Sequence, residues 1–105
     1  MALQSGNNTS SSGGANDPHG RTFHEIRNEF ERFHPEFESK LLRKFSDLST
    51  RELDICILIS CGYNSKDIAE IIHTEPATVD NHRAHIRKKF GLRPGINLHN
   101  FLKKL

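Results

Sequence analysis

Apolar residues recur at helical spacing through most of the chain, in short runs separated by turn residues. The stripe Phe23–Phe33 repeats every three or four positions, which predicts an amphipathic helix. A second, shorter stripe spans Phe37–Phe45, after Pro35 has interrupted the first helix. No segment alternates apolar and polar residues as a half-buried strand would. The pattern therefore predicts an all-α fold of five or six helices.

The most apolar segment follows a helix start signal. Ser49 and Glu52 have the spacing of a capping box, in which each side chain satisfies the other residue's backbone amide. The run Leu53–Cys61 is almost wholly apolar, which is typical of a central core helix. Gly62 is suited to the left-handed conformation that ends many helices.

Two further helices are predicted with a tight connection between them. Asn64 caps a helix of about two turns, and residues 73–75 form a short connection. Pro76–Phe90 then forms a longer helix, because proline suits a first helical position, and Gly91 ends it. A last helix is predicted over Leu98–Lys104. The middle pair has the form of a helix-turn-helix.

Composition divides the chain into three parts. Residues 1–20 are rich in Ser, Gly and Asn, so we expect a disordered tail, a linker or a cloning remnant. Residues 21–46 form a helical extension that we expect to act as a dimerisation element or the end of a coiled coil, with packing within the chain as the alternative. Residues 47–105 form the helix-turn-helix domain. No secretory signal and no apolar run near the roughly 20 residues of a membrane span occur, so we expect a cytoplasmic protein without membrane contact.

Charge is strongly polarised along the sequence. The stretch Asn81–Leu105 carries 7 of the 15 basic residues and none of the 13 acidic ones. The preceding residues are therefore net acidic, although the whole chain has a formal charge of +2. A split of this kind indicates contact with a polyanion.

The predicted helix Pro76–Phe90 has one apolar face and one polar face. At about 100° per residue, Val79, Ile86 and Phe90 align on one side. The opposite side and its flanks, with a lysine at the start of the preceding helix, form the predicted DNA-binding set. This set is Lys66, Ala77, Thr78, Asp80, Asn81, Arg83, Ala84, His85, Arg87, Lys88 and Lys89.

The residue types on this face suit a reader of the major groove. Ala77 and Ala84 are small, so the helix can approach base edges closely. Asn81 can bond adenine in a bidentate way, and Thr78 can bond a base or contact a thymine methyl group. Asp80 can accept a hydrogen bond from a cytosine amino group.

The cations are placed for contacts with the DNA backbone. Residues 87–89 lie at the helix end, where they can reach phosphates as the helix leaves the groove. Lys66 lies near a helix N-terminus, which favours phosphate, and Arg83 can extend past the apolar edge.

Three motifs in order resemble the LuxR/GerE-type DNA-binding domain of bacterial regulators. They are LSTREL at Leu48–Leu53, GYNSKDIAEII at Gly62–Ile72 and TVDNHRAHIRKKFGL at Thr78–Leu92. The resemblance implies a LuxR/GerE-like helix-turn-helix bundle without a wing, to which the N-terminal amphipathic helices are added. It also implies that Pro76–Phe90 is the recognition helix and that a homodimer binds paired half-sites on double-stranded DNA.

The chain is similar to one subset of that family, and it departs from the usual family pattern at three positions. Phe23–Phe45 and the ending NLHNFLKKL are similar to a subset with a coiled coil and a sensor or repeat domain upstream. Glu75 replaces the usual Ser or Thr cap, Asp80 replaces a common Lys, and Thr74 replaces an apolar residue.

Catalytic and metal chemistry are not indicated. His82 and His85 are three residues apart on a helix, but no recognised spacing completes a tetrahedral metal site. Cys56 and Cys61 lie in an apolar helix without a close basic neighbour, so we expect buried, free thiols in a reducing compartment. We expect no enzyme activity, cofactor or metal.

Two other functions fit the same helical layout. A helix-turn-helix domain can serve as a non-enzymatic protein-interaction module, and acidic Glu75 and Asp80 favour that alternative. A sigma-factor-like promoter reader shares the arrangement of helices, but the TVxxH and GL pattern fits it poorly.

Overall fold

The computed structural model describes residues 20–105, and every regular element in that range is an α-helix. Residues 1–19, to which the predicted tail belongs, lie outside the described residues. The prediction of an all-α fold with five or six helices is confirmed for the described residues, which form six. The helices are α1 (Phe23–Phe33), α2 (Phe37–Lys44), α3 (Thr50–Ser60), α4 (Ser65–Ile71), α5 (Pro76–Phe90) and α6 (Leu98–Lys103).

Helix α3 lies at the centre of the core. Its capping box is formed as predicted, because Ser49 Oγ accepts from the Glu52 amide at 3.1 Å and Glu52 Oε1 accepts from the Ser49 amide at 2.9 Å. From Leu53 to Ile59 every residue except Asp54 is buried. A helix covered on nearly all sides is stabilised mainly by its neighbours, at about 1.5–3 kcal/mol for each buried aliphatic side chain.

The end of α3 corrects one expectation. Gly62 has a φ of 97°, and the Tyr63 amide donates to the Leu58 carbonyl at 3.2 Å, which is the bond of a Schellman turn. Because the chain turns away there, Cys61 is exposed, and the expectation that both thiols are buried was wrong for this residue.

Helices α1 and α2 pack against the same core as the later helices. Ile26 and Leu41 are buried in the cluster that surrounds α3. Arg27 connects the three helices, since its guanidinium lies 2.9 Å from Glu31, 3.0 Å from Glu38 and 3.8 Å from Asp54.

An aromatic cluster fixes the end of α5. The Phe90 ring lies 4.4 Å from Phe45, after α2, and 5.1 Å from Phe101 in α6, measured between centroids. Rings in such offset contacts stabilise each other beyond their buried area. The far end of the long helix is therefore held by two other elements.

None of the helices between residues 20 and 105 has the length and apolar character needed to cross a bilayer.

Candidate nucleic-acid interface

Helices α4 and α5 form the predicted helix-turn-helix, and a left-handed residue makes the turn. Ile72 caps α4, His73 has a φ of 61°, and the Thr74 amide donates to the Ala69 carbonyl at 2.8 Å. This is a Schellman turn with histidine where glycine is usual. The turn brings Pro76 to the first position of α5, as the sequence predicts.

The buried side of α5 determines which side faces solvent. Val79 and Ile86 are fully buried and Phe90 nearly so, which confirms the predicted apolar face. On the other side, Ala77, Asn81, Ala84, His85 and Lys88 are all exposed.

The solvent-facing side of α5 combines small residues with hydrogen-bonding groups. Thr78 and Arg83 are half-buried at its two borders, and Lys66 is exposed at the start of α4. Within residues 20–105, neither Lys66 nor Lys88 has an ion-pair or hydrogen-bond partner. Both ammonium groups are therefore accessible to an external anion.

Asp80 is held by a residue that the sequence did not single out. Ser65 Oγ, at the first position of α4, donates to Asp80 Oδ1 at 2.6 Å. Such a short bond is typical of a hydroxyl that donates to a carboxylate. It links the two helices of the motif at their solvent-facing edge.

Arg87 takes part in the fold around the loop after α5. Its guanidinium donates to the Arg93 carbonyl at 2.9 Å and also to the Ile96 carbonyl. The side chain thus bridges α5 and the loop that leads to α6.

Lys89 lies towards the N-terminus of α3. Its Nζ is 2.7 Å from Glu52 Oε1 and 2.7 Å from the Asp47 carbonyl. Burial opposes ionisation of Glu52, but hydrogen bonds from Lys89 and from the Ser49 amide overcome this effect and lower the pKa of the carboxyl. Lys89 therefore stabilises the fold in this geometry.

Sequence reasoning missed three contacts, namely Ser65 with Asp80, Arg87 with the loop carbonyls and Lys89 with Glu52. It also missed the left-handed conformation of His73. For Ser65, the available signal was its place directly after the Asn64 cap, at the first position of α4. Arg87 and Lys89 left no comparable signal, because their partners are distant in sequence.

Neither metal nor thiol chemistry is supported by the described geometry. Across residues 20–105, no three His, Cys, Asp or Glu side chains are grouped so that they could hold a metal ion. Burial raises the pKa of Cys56 to about 12, so this thiol stays protonated and is a poor nucleophile.

Comparison with known proteins agrees with this geometry. Residues 46–98, about half of the chain, match the family described as "Bacterial regulatory proteins, luxR family". Oxygen regulatory protein NreC of Staphylococcus aureus is 47% identical over 49 residues in strains JH9, JH1 and Mu3. The similarity covers 47% of this chain and 23% of each relative, so the chain spans less than a quarter of their length. No solved structure matches the chain significantly.

Proposed function

Because the chain belongs to the luxR family of bacterial regulatory proteins, with its GerE-type helix-turn-helix at residues 46–98, we propose that it regulates transcription by binding specific DNA sequences. It acts either by itself or as the output domain of a longer protein. The observation that carries the proposal is the solvent-facing side of α5, where small and hydrogen-bonding residues lie opposite the buried Val79 and Ile86.

In this proposal α5 enters the major groove. Ala77 and Ala84 allow close approach, while Asn81 and Thr78 contact base edges. Arg83 and His85 flank these residues, and Asp80 faces the bases with them.

Phosphates of the DNA backbone are contacted by the free cations. Lys66 and Lys88 are exposed and without an intrachain partner in the described range, so we assign each a phosphate. Arg87 and Lys89, which the sequence also predicts as contacts, are given a supporting role because their charged groups are bonded within the fold.

The remaining features of the proposal concern the whole protein. We propose a homodimer on paired half-sites, because in helix-turn-helix dimers each subunit binds one half-site of a two-fold symmetric operator. We also propose a cytoplasmic location, where bacterial DNA is found, an upstream sensor or repeat domain, and no enzymatic activity.

The test is selection from random-sequence double-stranded DNA, followed by affinity measurements on the selected duplex. Replacing both Asn81 and Lys88 by Ala should weaken binding roughly 100-fold, because a bidentate base contact and a phosphate contact are lost. Lys40→Ala removes an equal charge at an exposed position of α2, outside the motif, and should change affinity less than about threefold.

Either of two results would contradict the proposal. Unchanged affinity in the double variant would show that another surface binds DNA. Weak binding without any selected sequence would point instead to a protein-interaction module.

A further inference from the structure

We infer that Asp80, held in place by Ser65, is a specificity-determining residue that selects a cytosine in the bound DNA. The inference rests on the proposed DNA-binding function and deepens it. It names the base that Asp80 contacts, and it names Ser65 of α4 as the residue that orients the Asp80 carboxylate.

The geometry provides a carboxylate that is oriented before any DNA binds. Ser65 Oγ donates to Asp80 Oδ1 at 2.6 Å, across the two helices of the motif. Asp80 is nevertheless exposed, on the flank of α5 beside Asn81. A carboxylate offers about four lone-pair sites, so the bond from Ser65 leaves the second oxygen free to accept.

The chemistry of an ionised carboxylate restricts the bases that it can accept from. In the major groove only the amino groups of cytosine and adenine donate. Adenine places its N7 acceptor beside the amino group, and the carboxylate repels that lone pair. Cytosine presents its donor without an adjacent acceptor of its own, and is therefore the preferred partner.

The negative charge also penalises every other sequence. A carboxylate carried into the groove loses water and approaches phosphates, and without a base donor the oxygen that Ser65 does not bond stays unpaired there. Leaving a buried polar group unpaired discriminates more strongly between ligands than a missing apolar contact does. Asp80 should thus weaken binding to all DNA, and weaken it least where a cytosine is met.

Ser65 has the role of a positioning residue. Its hydroxyl fixes the carboxylate in one orientation, so less side-chain freedom is lost when the base is bound. A purely structural role would instead join α4 to α5 without affecting base preference. The two roles differ in their effect on the selected sequence.

The experiment compares the full chain with Asp80→Asn, Ser65→Ala and Glu75→Gln, each selected from random-sequence DNA at one salt concentration. Affinity is then measured on duplexes in which the preferred cytosine is replaced by each other base. The unchanged protein should favour cytosine about tenfold at one position of each half-site. Asp80→Asn should shift that preference to adenine, because Asn bonds adenine N6 and N7 together.

The other two variants distinguish the effect of orienting the Asp80 carboxylate from the effect of negative charge at the start of α5. Ser65→Ala should keep the preference for cytosine but reduce it about threefold, with a melting temperature close to that of the unchanged protein. Glu75→Gln removes an exposed acid at the start of α5 that forms no cap bond, and should strengthen binding to all sequences equally.

The outcomes distinguish this inference from the function on which it rests. A selected sequence whose cytosine preference survives Asp80→Asn, or which contains no such position, overturns the role of Asp80 alone. If the unchanged protein selects no sequence at all, the proposed function fails and this inference fails with it. Unaltered base preference in Ser65→Ala overturns the positioning role of the serine.

Discussion

Among single residues, His73 has the least favourable backbone conformation in the described range. It is the non-glycine residue with positive φ there, at 61°, and it forms the turn of the helix-turn-helix. The left-handed region costs a residue with a Cβ atom roughly 1–2 kcal/mol. The histidine keeps this conformation because the Thr74 amide is bonded to Ala69 and Pro76 begins the next helix.

We therefore expect His73→Gly to stabilise the domain. The gain should be about 0.5–1 kcal/mol, since glycine avoids the strain but loses more freedom on folding. Thermal unfolding should show a melting temperature about 3–6 °C higher.

His85→Gly provides the matched control for that substitution. His85 is exposed inside α5, where glycine is less favourable than histidine by roughly 0.3–0.5 kcal/mol, so the melting temperature of this variant should fall slightly. A fall of similar size in His73→Gly would show that the histidine is not strained.

At the scale of the element, the sequence predicts the ends and the buried face of α5 well, but not the partners of its polar side chains. Pro76 and Gly91 restrict the backbone strongly, so both ends of the helix could be predicted, and so could its apolar face. The bond between Ser65 and Asp80 depends on how α4 crosses α5, which no local pattern encodes. The partners of Arg87 are backbone carbonyls, which every residue carries, so nothing in the sequence marks them.

This division among the cations of α5 leads to a prediction about salt. Lys88→Met should reduce the slope of log K against log salt by about 0.9, because one phosphate contact is lost. Arg87→Met should leave that slope unchanged, because the guanidinium is bonded to the loop between α5 and α6.

Both substitutions retain an aliphatic stem of similar length and remove one charge, so each serves as the control for the other. Affinity for one selected duplex, measured between about 50 and 200 mM salt, provides the slopes. An equal decrease in both variants would mean that Arg87 leaves the loop and binds a phosphate.

For the molecule as a whole, the pair formed by Glu52 and Lys89 connects the start of α3 with the end of α5. The side chain of Glu52 is only 7% exposed, and Lys89 Nζ lies 2.7 Å from it. Because the folded state lowers the pKa of Glu52 below its ordinary 4.5, folding favours the ionised form. This stabilisation is complete above the unfolded-state pKa and is lost as the pH falls through the folded-state pKa.

Glu52→Gln should therefore cost about 1.5–3 kcal/mol at pH 7, and progressively less as the pH falls below about 4.5. Glutamine can keep the cap bond to the Ser49 amide, so the change reports mainly on the charge. The measurement is the free energy of unfolding by urea at several pH values.

Glu38→Gln is the control for an ion pair of the same kind at the surface. Glu38 is 39% exposed beside Arg27, and its loss should cost less than about 1 kcal/mol. A difference between Glu52→Gln and the unchanged protein that does not shrink at low pH would contradict the assigned linkage.

Arg27 shows that the packed core extends beyond the segment that matches the family. The match to the family begins at residue 46, before α3. Two residues of α1 nevertheless belong to the surroundings of α3, because Arg27 lies near Asp54 and Ile26 is buried in the same core cluster. Burial raises the pKa of Asp54, whose Oδ1 is buried without a hydrogen bond 3.8 Å from the guanidinium. We therefore expect that unfolding of α1 would expose part of α3 and move the Arg27 charge away from Asp54, so that α1 and the segment after residue 46 unfold together.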